Sequence, residues 1–289
     1  MFVTNPFPRP RFSCTLVTPP IFNTSPYLTL LKRKEHLPPD APSNRDAHRK
    51  DSYAHSLLRR ARLAADAFAQ TAAEVLERYR QAIGEVDAIE KIQSETRHGE
   101  MEETGMKGKA TFVGYAKPFL QLGKLTLPDG REILSGFNGG ISWEVSAKGA
   151  SIDKDSPVEA ARRDADLQYE LHQPDYFRNF DLAGAVDFEG RRCYWLHGIT
   201  HRGKDNSHFY DVETGLLAGY RFQSDNSSST PVTTLLFQEY RRFGGPSVAT
   251  KVISHTGDRT QTITFTSVSY GRLEDSIFDL PQAVKALQQ

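Results

Sequence analysis

Between residues 108 and 146 four strand-like segments follow one another with almost nothing between them: GKATFVGYAK (108–117), FLQLGKLTL (119–127), REILSGFN (131–138) and GISWEVS (140–146). This run constrains the fold more than any other feature of the chain. Pro128-Asp129-Gly130 and Asn138-Gly139 are hairpin signals, and links of two or three residues join only antiparallel neighbours, because a parallel crossover needs a dozen residues or more. Strand-like segments resume after residue 180 as GAVDFEG, RRCYWLHGITH, SHFYDVE, GLLAGYRF, TPVTTLLFQEYRRF, SVATKVISHT and RTQTITFTSVSY. The chain is therefore read as a long antiparallel meander.

Several of these strands carry apolar residues on both faces. In TLLFQEY, Leu235 and Phe237 fall on one face, and Leu236 and Tyr240 on the other. In CYWLHGI, Trp195 and Ile199 oppose Tyr194 and Leu196. Two apolar faces need cover on both sides, so the sheet should curve around helices or around a ligand. Two segments can supply helices. TAAEVLERYRQAIG repeats apolar residues at a 3.6-residue period through Val75, Leu76, Tyr79, Ala82 and Ile83 and stops at Gly84, with Glu74 and Arg78 spaced as a surface pair. PVEAARRDADLQYEL (157–171) has a weaker apolar side. In HFYDVETGLLAGYRF the Asp211–Gly215 stretch reads as a tight turn with Gly215 in a left-handed position.

The totals exclude some classes. Thirty-six basic and thirty-six acidic residues balance, so no global field draws the chain to nucleic acid. Cys14 and Cys193 are the two cysteines, which suggest neither a disulfide framework nor a zinc site. No run of about 18 apolar residues marks a bilayer-spanning helix. Apolar residues make up only 38%, which suggests a disordered tail or a protein with more surface than core. Residues 1–55, with NPFPRPRF, TPPIF and LPPDAPSNRDAHRKD, are expected to be a disordered Pro-rich extension. Residues 56–70 end in Ala67-Phe68-Ala69 before Gln70. They read as an amphipathic helix, as a decayed export signal whose core is broken by Arg59, Arg60, Arg62 and Asp66, or as the mark of a start assigned too far upstream.

Candidate chemistry is sparse. His197, His201 and His208 are too widely spaced along strands to share a metal, about 13 Å for the first two, and are expected to be surface histidines near a hairpin. Arg162-Arg163-Asp164-Ala165-Asp166 is read as a solvated helix face or as loop-closing ion pairs. Gly136-Phe137-Asn138-Gly139-Gly140 lacks the strand–loop–helix setting of a phosphate cradle and is read as a hairpin. The serines of SDNSSSTP (224–231) have no nucleophile elbow around them. No metal, cofactor or catalytic set is expected.

Taken in order, AEVLERY (73–79), GFNGGISWEVS, RRDAD, RRCYWL, FYDVETGLL, EYRRFGGPSVATKV and FDLP resemble the outer-membrane lipoprotein-sorting proteins, the LolA-like periplasmic proteins of bacteria. The resemblance implies a mainly β (α+β) domain over residues 71–281: a strongly curved antiparallel sheet forming a half-open barrel, with helices as lid or plug and a C-terminal tail at 282–289. It implies a non-enzymatic, monomeric, periplasmic carrier holding a lipid or lipoprotein acyl chain in a concave apolar cavity. It also moves the reading of Ala67-Phe68-Ala69 toward a damaged signal, with a mature chain starting near Gln70. Because the same fold recurs in envelope sensors, the alternative is a scaffold that uses the sheet to recognise a membrane-associated protein. Strand alternation nominates Phe112, Leu122, Leu134, Trp143, Leu196 and Leu236 as the cavity lining, with the face of each strand left open because a one-residue slip inverts it.

Overall fold

The computed structural model describes residues 70–84, 86–154, 157–223 and 231–289. The expected extension (1–55), the Ala67-Phe68-Ala69 pattern and all but the last residue of SDNSSSTP lie outside these residues.

Among the described residues thirteen strands form one antiparallel sheet, curled but not closed. They are β1 (Glu95–Glu103), β2 (Ala110–Lys117), β3 (Leu120–Thr126), β4 (Glu132–Phe137), β5 (Ser142–Ser146), β6 (Gly149–Asp153), β7 (Phe177–Phe188), β8 (Arg191–Thr200), β9 (Asp205–Asp211), β10 (Leu217–Phe222), β11 (Thr233–Arg242), β12 (Ser247–Thr256) and β13 (Arg259–Ser269). Their order is β6-β5-β4-β3-β2-β1-β13-β12-β11-β10-β9-β8-β7. Two consecutive meanders thus meet where β1 pairs with β13. The hairpin signals act as expected. Gly130 takes φ +83°, and the Asn138 side chain accepts the N–H groups of Gly140 and Ile141 at 3.2 and 2.9 Å.

Helix α1 (Ala72–Ile83) lies against the inner face of the sheet. Thr71 and Glu74 form a capping box, and the Gly84 N–H closes the other end on the Arg80 carbonyl. Val75, Leu76, Tyr79 and Ile83 are buried and join one large core with residues from β1–β4 and β8–β13. Two polar clips fix the helix. Arg78 Nη2 donates to the Glu213 carbonyl at 2.9 Å, and Arg80 Nε donates to the Glu170 carbonyl at 3.1 Å. The expected Glu74–Arg78 surface pair gives way to these arrangements: Glu74 caps the helix and Arg78 reaches the β9–β10 turn. A short helix α2 (Val86–Glu90) follows, with Ile89 buried in the same core.

The link between the two edge strands, β6 and β7, holds α3 (Val158–Asp164), α4 (Tyr169–His172) and a 3-10 turn at Gln173–Tyr176. One helix was expected over 157–171. It breaks because Asp166 turns inward and caps Gln168 through an N–H bond of 3.0 Å. Arg163, Asp164 and Asp166 are buried, so the solvated-face reading of this stretch fails and loop-closing polar contacts stand in its place. Gln121 Nε2 donates to the Asp164 carbonyl at 2.5 Å, and the Phe119 N–H donates to the Ala165 carbonyl at 2.9 Å, tying the link to β3. The C-terminal stretch expected as a tail continues the domain instead: α5 (Gln282–Lys285) packs on β5 and β6 with Val284 fully buried.

The sheet is apolar on both sides, as its sequence requires. Leu235, Phe237, Tyr194 and Leu196 belong with the inner core, while Leu236 and Trp195 join Phe188, Cys193, Phe209 and Ala218 in a second cluster on the outer face. Tyr240 departs from strict alternation. Glu239 takes φ +56°, which returns Tyr240 to the inner core, where its hydroxyl donates to the Leu217 carbonyl at 2.9 Å.

Candidate functional site

Directly opposed residues in an antiparallel pair share a face, so the register sorts the six nominated lining residues. Phe112 pairs with Gly99 and Leu125, and its ring meets Phe265 edge to face with centroids 5.7 Å apart. Leu196 pairs with Leu182 and His208 and is fully buried. These two point inward. Leu122 and Trp143 both oppose Gly136, and Leu134 lies two residues from Gly136 on the same strand. Those three share the outer face of β3–β5. Leu236 opposes Gly219 and Ile253 and sits in the outer cluster. The structure therefore brings Phe112 and Leu196 into one inner core and places the other four outside it.

The inner face is packed by α1 rather than empty. Between α1 and the sheet lies a chamber of about 40 Å³, lined by residues including Tyr79, Ile83, Glu95, Arg97, Glu170, Tyr240 and Tyr270. That holds a few water molecules at most and falls far below the roughly 300–1,000 Å³ of ligand pockets.

The chamber carries charge that sequence reasoning missed. Glu95 and Arg97 are two apart on β1, so both face inward, 4% and 5% exposed. Arg97 Nε donates to one Glu95 oxygen and Nη2 to the other at 3.0 Å. The guanidinium also stands over the Phe265 ring, 5.1 Å from its centroid. Burial works against its charge, but the Glu95 carboxylate beside it holds the net shift upward. Two donors remain without a hydrogen-bond partner: Arg97 Nη1 and the Tyr270 hydroxyl. Burial, and then the Glu95 charge, push the Tyr270 phenol well above its usual range, so it stays protonated.

Next to the chamber an open cleft of about 800 Å³ lies where α2 enters β1 and where β13 ends. Its walls include Lys91, Lys117, Gly245, Arg272, Glu274 and Asp275. Lys117 pairs with Asp275 at 2.5 Å and Arg272 with Glu274 at 3.9 Å. Ile92 and Tyr270 border both the cleft and the chamber.

The histidines do not gather. His197 Nε2 lies 2.9 Å from Asp205 Oδ1, and His201 Nε2 lies 3.0 Å from the Asp175 carbonyl, both near the surface. His208, expected at the surface, is instead fully buried among Phe177, Phe180 and Tyr220, because its strand position points inward. Its Nδ1 meets Gln173 Nε2 at 2.6 Å, and Gln173 Oε1 accepts the Tyr210 hydroxyl at 3.0 Å. Burial, with Arg163 adding to it, lowers the His208 pKa well below the usual value. Among the described residues no three His, Cys, Asp or Glu side chains gather as a metal site. A second contact set, Asp166 Oδ2 with the Tyr176 hydroxyl at 2.6 Å and His172 Nδ1 at 2.8 Å, closes the link before β7.

A single curled sheet with an internal amphipathic helix is the architecture of the LolA-like open barrels. A LolA superfamily protein from Nitrosomonas europaea superposes with a TM-score of 0.51 at 13% identity, covering 73% of this chain and 98% of that one. A DUF1329 family protein from Desulfovibrio piger follows at a TM-score of 0.49 and 15% identity, covering 71% and 95%. A domain from Vibrio parahaemolyticus that carries the name of outer membrane lipoprotein-sorting protein gives 0.49 at 13% identity, covering 71% and 95%. No protein-family model and no curated protein matches the chain. The protein has the LolA-like fold.

Proposed function

We infer that the protein is a non-enzymatic, periplasmic binder of lipid or lipoprotein acyl chains, and that its inner face takes the chain when α1 lifts away. One observation carries this reading: an apolar face running across most of the strands is closed off by one amphipathic helix of 12 residues. Of the nominated lining, Phe112 and Leu196 belong to this face, together with Leu125, Leu235, Phe237 and Phe265.

The energies allow the exchange. Withdrawing Val75, Leu76, Tyr79 and Ile83 from the core costs about 6–12 kcal/mol at the usual worth of a buried side chain. An acyl chain of about fourteen methylenes returns about 11 kcal/mol on the same scale. Neither state is overwhelmingly favoured, which suits a carrier that must also release its load. The experiment is displacement of a fluorescent fatty acid, run beside mass spectrometry of organic extracts from the purified protein. Saturable binding and a co-purified acyl species are expected. A protein that binds no acyl probe overturns this reading in favour of a scaffold for a partner protein.

A further inference from the structure

We propose that the chamber is the polar anchor of the ligand and selects an acyl ester or amide over a free fatty acid, its carbonyl oxygen accepting hydrogen bonds from Arg97 Nη1 and the Tyr270 hydroxyl. This rests on the acyl-carrier reading above and adds the chemical class of the ligand and its path.

Three observations carry it. First, two buried donors on residues lining the chamber have no partner, Arg97 Nη1 and Tyr270 Oη. A buried donor without a partner is costly and calls for an acceptor. Second, the charge of the guanidinium is already balanced: Glu95 occupies two of its N–H groups. An incoming carboxylate would place a second carboxylate on that one guanidinium at low dielectric, where an unmatched charge is strongly disfavoured. A neutral carbonyl satisfies both donors and adds no charge. Third, the chamber adjoins the 800 Å³ cleft, with Tyr270 and Ile92 bordering both spaces. Tyr270 is seated on Gly245, where a Cβ would come 2.4 Å from the ring. The chain of the ligand lies along the inner face, the carbonyl sits at Tyr270, and the head group extends into the cleft between the Lys117–Asp275 and Arg272–Glu274 pairs.

The test uses the full chain and a fluorescent acyl probe, displaced in turn by methyl palmitate, palmitate and hexadecane. Methyl palmitate should compete best. Tyr270→Phe, which removes only the hydroxyl, should weaken methyl palmitate about two- to tenfold, the worth of one hydrogen bond, while leaving hexadecane unchanged. A double change, Glu95→Leu with Arg97→Met, removes the ion pair without stranding a charge and should abolish the preference for the ester. Palmitate competing as well as its ester, or Tyr270→Phe affecting ester and hydrocarbon alike or neither, overturns the anchor and leaves the carrier reading intact. That is also the outcome if water alone fills the chamber. Failure of every competitor and of the probe itself overturns the carrier reading as well.

Discussion

Replacing Gly215 by valine should be among the costliest changes outside the core. Gly215 takes φ +73° at the end of the β9–β10 turn, a region that costs an ordinary L-residue about 1–2 kcal/mol and a β-branched one more. A Cβ there would also lie 3.0 Å from Arg78 Cγ and 3.2 Å from the Arg78 carbonyl oxygen. The side chain can swing, but the carbonyl belongs to α1, so relief requires the helix to shift from its seat and strains the Arg78–Glu213 clip. Together these put Gly215→Val at about 2–4 kcal/mol. In a domain of this size that is a fall in melting temperature of about 5–12 °C. Glu213→Ala is the control, since Arg78 uses the Glu213 carbonyl and not its side chain, and should melt with the parent. Gly215→Asn separates the two causes, because asparagine tolerates the left-handed region but still carries the Cβ; it should fall between parent and valine. Thermal melts of the three variants check the ordering. A Gly215→Val protein that melts with the parent refutes both the turn geometry and the seat of α1.

Further outcomes follow from the same packing. Leu196→Ala, at a fully buried inner position, should cost about 2–5 kcal/mol, and Leu134→Ala, half-buried on the outer face, clearly less; urea unfolding measures both. Glu95→Ala strands a buried guanidinium and should cost about 3–5 kcal/mol by the same assay. His208 has a folded-state pKa below its unfolded value, so its contribution is full above about pH 6.5 and is lost as pH falls below it, at up to about 1.4 kcal/mol per pH unit. Melting temperature against pH should drop through that window, and His208→Gln should flatten the drop.

The hairpins around Gly130 and Asn138 and the amphipathic α1 were legible because their signals are local: turn residues with positive φ, and a 3.6-residue period. Strand β1 was missed, although it joins the two meanders. Its sequence, ETRHGEMEE, looks polar throughout because the inward positions hold Glu95 and Arg97, a pair whose compatibility with burial only the fold reveals. The same blindness hid the polar chamber. The break between α3 and α4 was invisible because Asp166 is fixed by Tyr176 and His172, which only the tertiary fold orients toward it. The candidate lining mixed the two faces for a further reason. Both sides of these strands are apolar, so alternation cannot say which side is inner, and only the register and the position of α1 decide between Leu196 and Leu236.

The central claim is that α1 and an acyl chain compete for one inner face. Backbone hydrogen exchange of α1 and of β11–β12, measured with and without saturating methyl palmitate, tests it most directly. The account predicts that the ligand strips protection from amides of Leu76–Ile83 while those of β11 and β12 keep or gain it. A bound protein in which α1 stays as protected as in the free one would contradict it.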